Sequence, residues 1–491
     1  MYQPNPPPPP PPPPIRSQME NAHRDHLLSS LLHLLSLLSL FLSLSIETYI
    51  FINKLNPTYH LLPLLLSLLL HHFLTPKTTQ THLLDFSCLK PQPRLRVPIP
   101  GLLEHLSLIN CFDSDSVAFM KKVITSSGMG NETYFPPSLH YIPPSATFHD
   151  SVQEAHMLFF PTLDDLFAKT NVSPLDIDIL VVNCSGFCPS PSLSSIVVNR
   201  YAMRSDVKSF NLSGMGCAAG VVGVDVARSL LKLGKSSYAV VISTEIVSTG
   251  WYNGKDPRKL VLNCFFRMGC SAVLLTNRPK KGNPNPKYKL VKLMRTQFAY
   301  DDRAYKSASR EEDDEGITGF SIERDLLRVA AESIRLHVVA LGPSILPWRE
   351  KLRYVLLHVT KKAKRIEFVP DFSAVIKHYC LPSSGKPIIK KIGKGLGLGE
   401  KEMEAALMTF HRFGNQSSAS MWYQLGYLEA KGRVRKGDRV WQLGMGSGPK
   451  CNTLIWESVG EIDGEEEGRK EKKTKKKGPW MDCIHRYPID D

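Results

Sequence analysis

The sequence predicts an α/β chain in two halves that repeat one alternation of buried strand and helix, set behind an N-terminal transmembrane helical hairpin. Three observations predict it. Two long apolar stretches stand near the start. Short β-branched runs alternate with helical patterns from about Val97 to Ser458. The same alternation recurs in the second part of that region, as expected of a pseudo-duplicated core. At 491 residues the chain is too long for one ordinary domain.

Residues 1–26 form a proline-rich N-terminus. Pro6 to Pro14 is an unbroken proline run that favours polyproline II and cannot join a core. It reads either as a ligand for a proline-binding module or as an unstructured extension, and Met19 is an alternative start.

Residues 27–76 read as a membrane anchor. Leu27 to Ile46 is almost entirely Leu, Ser and Phe, and about 20 such residues span a bilayer as a helix. Serine is tolerated there because its hydroxyl bonds back to the helix backbone. Leu61 to Leu74, interrupted by Pro63, is short for a span and reads as a second crossing or a re-entrant arm. A cleaved signal peptide fits poorly, because the apolar stretch is too long and no small-residue cleavage site follows. Arg16 and Arg24 precede the first stretch, and Lys77, Lys90, Arg94 and Arg96 follow the second. That distribution predicts both ends on the cytosolic side, with the larger remainder held at the membrane surface.

In that remainder, residues 177–183 and 237–243 read as buried strands, with a helix over 221–233 between them and a further strand at 272–275. In the second half, 403–410 reads as helix and 439–443 as strand. The expected division is a first half at 80–290, a second at 291–460 and a charged tail at 461–491. Pro284 to Lys287 and the acidic run Glu311 to Glu315 read as surface loops.

The net charge is +15, but Arg469 to Lys477 supplies much of it and reads as a solvated tail. The preceding Glu465-Glu466-Glu467 and the lack of an aromatic-interleaved basic motif argue against nucleic acid as a partner. The ten cysteines include no CxxC pair, so a zinc ribbon is not expected. A disulfide framework is not expected in so large a core either, and the thiols read as reduced.

One cysteine has a distinctive setting. Cys217 lies among small residues in Gly214-Met215-Gly216-Cys217-Ala218-Ala219-Gly220, where a helical pattern begins. Glycines permit a tight strand-to-helix turn, and the helix N-terminus offers free N–H groups and its positive dipole end. These favour a thiolate and can hold an oxyanion on a thioester under attack. A small buried cysteine in a Gly/Ala packing site is the competing reading.

The motif resembles the nucleophile segment of plant very-long-chain 3-ketoacyl-CoA synthases, the condensing enzymes of fatty-acid elongation. Leu84 to Pro91, Glu132 to Pro137, Asp178 to Asn183, Asn263 to Gly269, Glu311 to Gly316, His411 to Asn415 and Gly444 to Asn452 also match, over roughly residue 80 to the C-terminus. The resemblance implies a thiolase-like fold and decarboxylative condensation. An acyl group from acyl-CoA loads onto Cys217, malonyl-CoA loses CO2, and its carbanion attacks the thioester. No metal or redox cofactor is implied. The implied site is Cys217 with Asn415, His411 as a neighbour that orients it, and His378. The resemblance further implies the endoplasmic-reticulum membrane, other elongase-complex enzymes as partners, and a homodimer.

The sequence departs from the family pattern in two places. Where the family has His-Phe-Cys-x-His-x-Gly-Gly, this chain has His378-Tyr379-Cys380-Leu381-Pro382-Ser383-Ser384-Gly385, so Pro382 takes the catalytic position. Gln297 replaces a further histidine. Proline has no N–H and no base. On a strand, His378 would stand about 13 Å from position 382, which makes direct substitution poor. The expected function is therefore a 3-ketoacyl-CoA synthase, with a catalytically impaired member that binds acyl chains or modulates an active partner as the alternative. A soluble polyketide enzyme of the chalcone-synthase type is disfavoured by the apolar N-terminus and the 85–91 motif.

Overall fold

The computed structural model describes residues 80–233, 238–278, 285–359, 370–460 and 478–489, together with helical residues between 41 and 51. The chain divides into two units, Met1–Thr79 and Gln80–Asp491. In the first, Ser45 Oγ donates to the Phe41 carbonyl at 2.9 Å and Thr48 Oγ1 to the Leu44 carbonyl at 2.7 Å. This is the back-bonding that lets hydroxyls sit in an apolar helix. Phe41, Leu42, Leu44 and Phe51 are exposed. The hairpin expected over 27–76 otherwise lies outside the described residues. Among the described residues, no helix is long and apolar enough to cross a membrane.

Among the described residues, the second unit is built on one nine-stranded sheet: β1 (His82–Cys88), β2 (Ile179–Asn183), β3 (Lys208–Leu212), β4 (Tyr238–Thr244), β5 (Cys270–Thr276), β6 (Tyr288–Gln297), β7 (His378–Cys380), β8 (Arg439–Gly446) and β9 (Lys450–Ser458). Their order is β7-β8-β9-β6-β1-β5-β4-β2-β3. The duplication is written in the pairings. In the first half β2 runs parallel to β4, β4 antiparallel to β5, and β5 antiparallel to β1. In the second, β7 runs parallel to β8, β8 antiparallel to β9, and β9 antiparallel to β6. The halves join through β1 and β6 at Leu83 and Tyr288. The first half also carries β3, parallel to β2 at the edge. The expected division at 290/291 falls inside β6, which begins at Tyr288.

Every residue of β2, β4 and β5 is buried. Such strands carry near-continuous apolar runs because both faces are covered. The covering helices include α1 (Phe148–Thr170), α2 (Ala219–Leu233), α3 (Leu326–Ile345), α4 (Glu400–Phe413) and α5 (Ser420–Ala430). Helix α1 opens with a capping box between Thr147 and Asp150. Helix α2 packs on β2 and β4 of the first half and on β8 and β9 of the second. Helix α5 packs on β1 and also on β7 and β8. These two helices therefore lie between the halves, and the turns that precede them meet.

Two expectations need correction. The acidic run at 311–315 is not a plain loop. It is the turn of a hairpin in which Ala308–Glu312 pairs with Thr318–Ile322. The Asp313 carboxylate accepts from the backbone N–H groups of Glu315 and Ile317 and from the Tyr252 hydroxyl, which ties the turn down. Nor is the tail charged and solvated to its end. Trp480, Cys483, Ile484 and Tyr487 are buried. Trp480 Nε1 donates to the Tyr423 carbonyl at 2.8 Å, and its ring meets those of Phe413, Tyr427 and Tyr487. A tryptophan with a satisfied N–H and three aromatic neighbours outweighs the solvation of the few charges around it. Asp482 bonds to Lys90 at 2.6 Å and to the fully buried Arg412 at 3.1 Å.

Candidate active site

Strand β3 leads into Ser213-Gly214, and a short 3-10 turn over Gly216–Ala218 then enters α2. Gly214 and Gly216 have φ of +67° and +57°, in the left-handed region where a side chain is strained. Gly216 also faces the end of β8. A Cβ there would stand 2.7 Å from Ser447 N, and one on Gly446 would stand 2.7 Å from Ala218 N. The glycine loop at 444–448 thus lets a strand end press against the cysteine turn. Gly216 N donates to Ser185 Oγ at 2.8 Å, and Asn452 Nδ2 donates to the Ala218 carbonyl at 3.4 Å. Cys217 is half-buried at this junction.

A second turn, Ser417–Ala419, faces it from the start of α5. Asn415 precedes this turn. Its backbone is clamped between Phe265 and Arg267: Asn415 N donates to the Phe265 carbonyl at 3.0 Å, and Arg267 N to the Asn415 carbonyl at 2.9 Å. The Arg267 guanidinium is itself buried, 4.5 Å over the Phe135 ring. Asn415 Oδ1 accepts from Ser417 N at 2.7 Å. That bond supports Ser417 at a φ of +54°.

The Ser417 hydroxyl completes the junction. Its Oγ lies 3.5 Å from Cys217 Sγ and 3.4 Å from Glu245 Oε2. Glu245 follows β4, and its carboxylate accepts from Gly186 N at 2.6 Å and Ser185 N at 3.0 Å. Burial raises the Glu245 carboxyl above the usual range, opposed by these N–H bonds. Burial likewise pushes the Cys217 thiol up to about 11. The Ser417 bond opposes that shift, and the Glu245 charge adds to it. The free thiol is therefore protonated at neutral pH, and ionising it requires help.

The other predicted site residues fall elsewhere. His378 opens β7 and pairs with Val440, while the cysteine turn presses on Gly446, six residues further along β8. At about 3.3 Å per residue the two sites are roughly 20 Å apart along the strand. His378 Nε2 meets Asp438 Oδ2 at 3.1 Å instead. His411, near the end of α4, packs against Gly130 and sets its ring 6.1 Å from that of Tyr487. Pro382 is buried just beyond the C-terminal end of β7, the end that points towards the cysteine turn. Gln297 ends β6 and is exposed.

Sequence reasoning did not single out Glu245 or Ser417. The available signal was an acidic residue directly after a fully buried strand, in Ser243-Thr244-Glu245, and the serine pair after Asn415.

A duplicated α/β core with a cysteine on a strand-to-helix turn between its halves defines a thiolase-type acyl-transfer protein. Residues 73–363 match the FAE1/Type III polyketide synthase-like protein family, and residues 373–458 match the 3-oxoacyl-[acyl-carrier-protein] synthase III C-terminal family. The chain is 43% identical to 3-ketoacyl-CoA synthase 4 of Arabidopsis thaliana over 83% of its own length and 78% of that protein. It is likewise 43% identical to 3-ketoacyl-CoA synthase 6 of that plant, over 84% and 82%. The 1,3,6,8-tetrahydroxynaphthalene synthase of Streptomyces coelicolor, a type III polyketide synthase, shares the fold with a TM-score of 0.62 at 15% identity, over 77% of this chain and 99% of that one. CsyB in complex with CoA-SH does so with a TM-score of 0.60 at 16% identity, over 77% and 100%. The chain belongs to the plant 3-ketoacyl-CoA synthase family of condensing enzymes.

Proposed function

We propose that this chain condenses malonyl-CoA with a long or very-long-chain acyl-CoA, with loss of CO2, to give a 3-ketoacyl-CoA two carbons longer. The observation that carries the reading is Cys217 on a glycine-permitted turn at the start of α2, facing the Asn415–Ser417 turn across the two halves. In this reading Cys217 takes the acyl group and N–H groups of its turn hold the oxyanion. Asn415 holds the facing turn in place. The relatives' names favour this over an inactive acyl-chain binder.

The apolar stretches at 27–46 and 61–74 support an anchor in the endoplasmic-reticulum membrane with the condensing unit in the cytosol. Strand β3 supports a homodimer, because Lys208 to Asn211 are exposed on an edge that leads directly into the cysteine turn. Association with other enzymes of elongation follows from the same reading.

The test is elongation in microsomes expressing the chain. Labelled malonyl-CoA and a long acyl-CoA should yield labelled 3-ketoacyl product in the wild type. Product no greater than that of Cys217→Ala would refute the reading.

A further inference from the structure

The geometry points to a proton relay in which Ser417 is a catalytic residue, passing the Cys217 thiol proton to Glu245 as the thiol attacks an acyl thioester. It rests on the reading of Cys217 as the acyl-accepting nucleophile.

Cys217 Sγ meets a hydroxyl, Ser417 Oγ, at 3.5 Å. Imidazoles that could serve as a base have partners elsewhere among the described residues. His378 bonds Asp438, His337 bonds Thr296 and Thr453, and His411 packs against Gly130 and Tyr487. Ser417 Oγ lies between Sγ at 3.5 Å and Glu245 Oε2 at 3.4 Å. A hydroxyl has one hydrogen and two lone pairs, so it can accept from the thiol while donating to the carboxylate. The sulfur–oxygen separation is ordinary for a bond to a thiol, and the oxygen–oxygen one is long, as catalytic hydrogen bonds often are without substrate.

The carboxylate is built to stay where it is. Two backbone N–H groups hold it, and the Ser185 side chain that follows the first of them also holds Gly216 N, next to the nucleophile. One loop thus fixes the acceptor and the nucleophile together. The left-handed φ of Ser417, held by Asn415, is a local cost that aims its hydroxyl at both.

The Cys217 S–H bond breaks as Sγ forms a bond to the acyl carbonyl carbon. The thiol proton goes to Ser417 Oγ, and the serine's own proton goes to Glu245 Oε2. When the tetrahedral adduct collapses, the C–S bond to CoA breaks. The CoA thiolate takes the proton back along the same path. Nothing is oxidised or reduced.

Among the described residues, the titratable and charged groups around Glu245 are few. Cys184 Sγ donates to Oε1 at 3.4 Å from the end of β2, and Cys217 lies behind Ser417. Glu154 on α1 interacts with it at longer range, and Arg310 donates to the Gly186 carbonyl one residue away. Burial raises the Glu245 carboxyl above the usual carboxylate range, opposed by the bonds from Gly186 N, Cys184 and Ser185 N. A raised carboxyl is a stronger base than an ordinary one.

The sign of the alternative differs. If Glu245 were only a buried charge, removing it would ease ionisation of the neighbouring thiol and speed acylation. The experiment measures burst acylation of the full-length protein in detergent from pH 5 to 9, with two donors: a long acyl-CoA and p-nitrophenyl hexanoate, which needs no CoA recognition. The relay predicts that Glu245→Gln and Ser417→Ala each slow the burst roughly 100-fold at pH 7. It predicts that the acid limb of the wild-type profile disappears in Glu245→Gln and returns, shifted, in Glu245→Asp. An unchanged or faster burst in Glu245→Gln, or an intact acid limb, would overturn the relay. So would a wild type with no Cys217-dependent burst from either donor. A burst from the ester but none from acyl-CoA would refute the proposed function alone, and the ester profiles would still judge the relay.

Discussion

His378 Nε2 and Asp438 Oδ2 are 3.1 Å apart, at the end of the β7–β8 pair away from Cys217. The histidine predicted for the site therefore serves the fold. His378→Ala should change acyl loading by less than about threefold, whereas losing a general base costs 100-fold or more. The variant should be about 1 kcal/mol less stable, the usual worth of one such bond. Loading kinetics and a denaturant melt check both.

Pro382 is buried just past the end of β7 that points towards the cysteine turn. Ser383 and Leu381 flank it, bonded to Gln424 at 3.1 and 2.7 Å. An imidazole there would add a donor for a developing enolate. Pro382→His should raise the condensation rate roughly tenfold or more while leaving Cys217 acylation nearly unchanged. Single-turnover assays that separate loading from CO2 release check this; equal rates would show that the position is neutral.

Gly446 faces the cysteine turn so closely that a Cβ would stand 2.7 Å from Ala218 N. Backbone cannot yield as a flexible side chain does. Gly446→Ala should lose about 1–3 kcal/mol of stability and most of the acylation burst. Gly395→Ala, where a Cβ meets nothing within 4 Å, should do neither.

His337, on α3, is fully buried between Thr296 and Thr453, with both ring nitrogens at 2.7 Å from a hydroxyl. Thr453 Oγ1 also accepts from Trp441 Nε1, so its own hydrogen is left for His337 Nε2. Burial lowers the imidazole from 6.5 to about 3, so the fold favours the neutral ring. A depressed base contributes stability that is complete above its unfolded pKa of 6.5 and is lost as pH falls towards 3. The loss approaches about 1.4 kcal/mol per pH unit in that window. His337→Gln should be less stable than wild type at pH 7, and the gap should close as pH falls to 5. Tryptophan-fluorescence melts at the two values measure it.

Removing residues 478–491 should destabilise the protein strongly. It empties the Trp480 site among Phe413, Tyr427 and the Tyr423 carbonyl, and large aromatic deletions cost about 3–5 kcal/mol. It also removes Asp482 from the buried Arg412, leaving the more distant Glu132 at 3.6 Å. Restoring 478–489 without the preceding lysine run should recover most of the melting temperature.

The legible parts of the sequence were those with strong local pattern. The β-branched runs at 177–183 and 237–243 became strands, and the glycines around Cys217 marked its turn. The illegible parts depend on partners far away in the chain. Ser417 gains its meaning from Cys217, 200 residues earlier, and from Glu245. His378 has the motif of a chemical residue, but it pairs with Val440, six residues of β8 away from the Gly446 that meets the cysteine turn. Trp480 was hidden behind a lysine run that dominates the local composition.

The most direct test follows one acyl group through Cys217. The purified protein, loaded with a long acyl-CoA, should carry the acyl mass on the peptide containing Cys217. Adding malonyl-CoA should then remove that mass while releasing CO2 and forming the 3-ketoacyl-CoA in equal amounts. An acyl group found on another residue, or product formed equally by Cys217→Ala, would contradict the account.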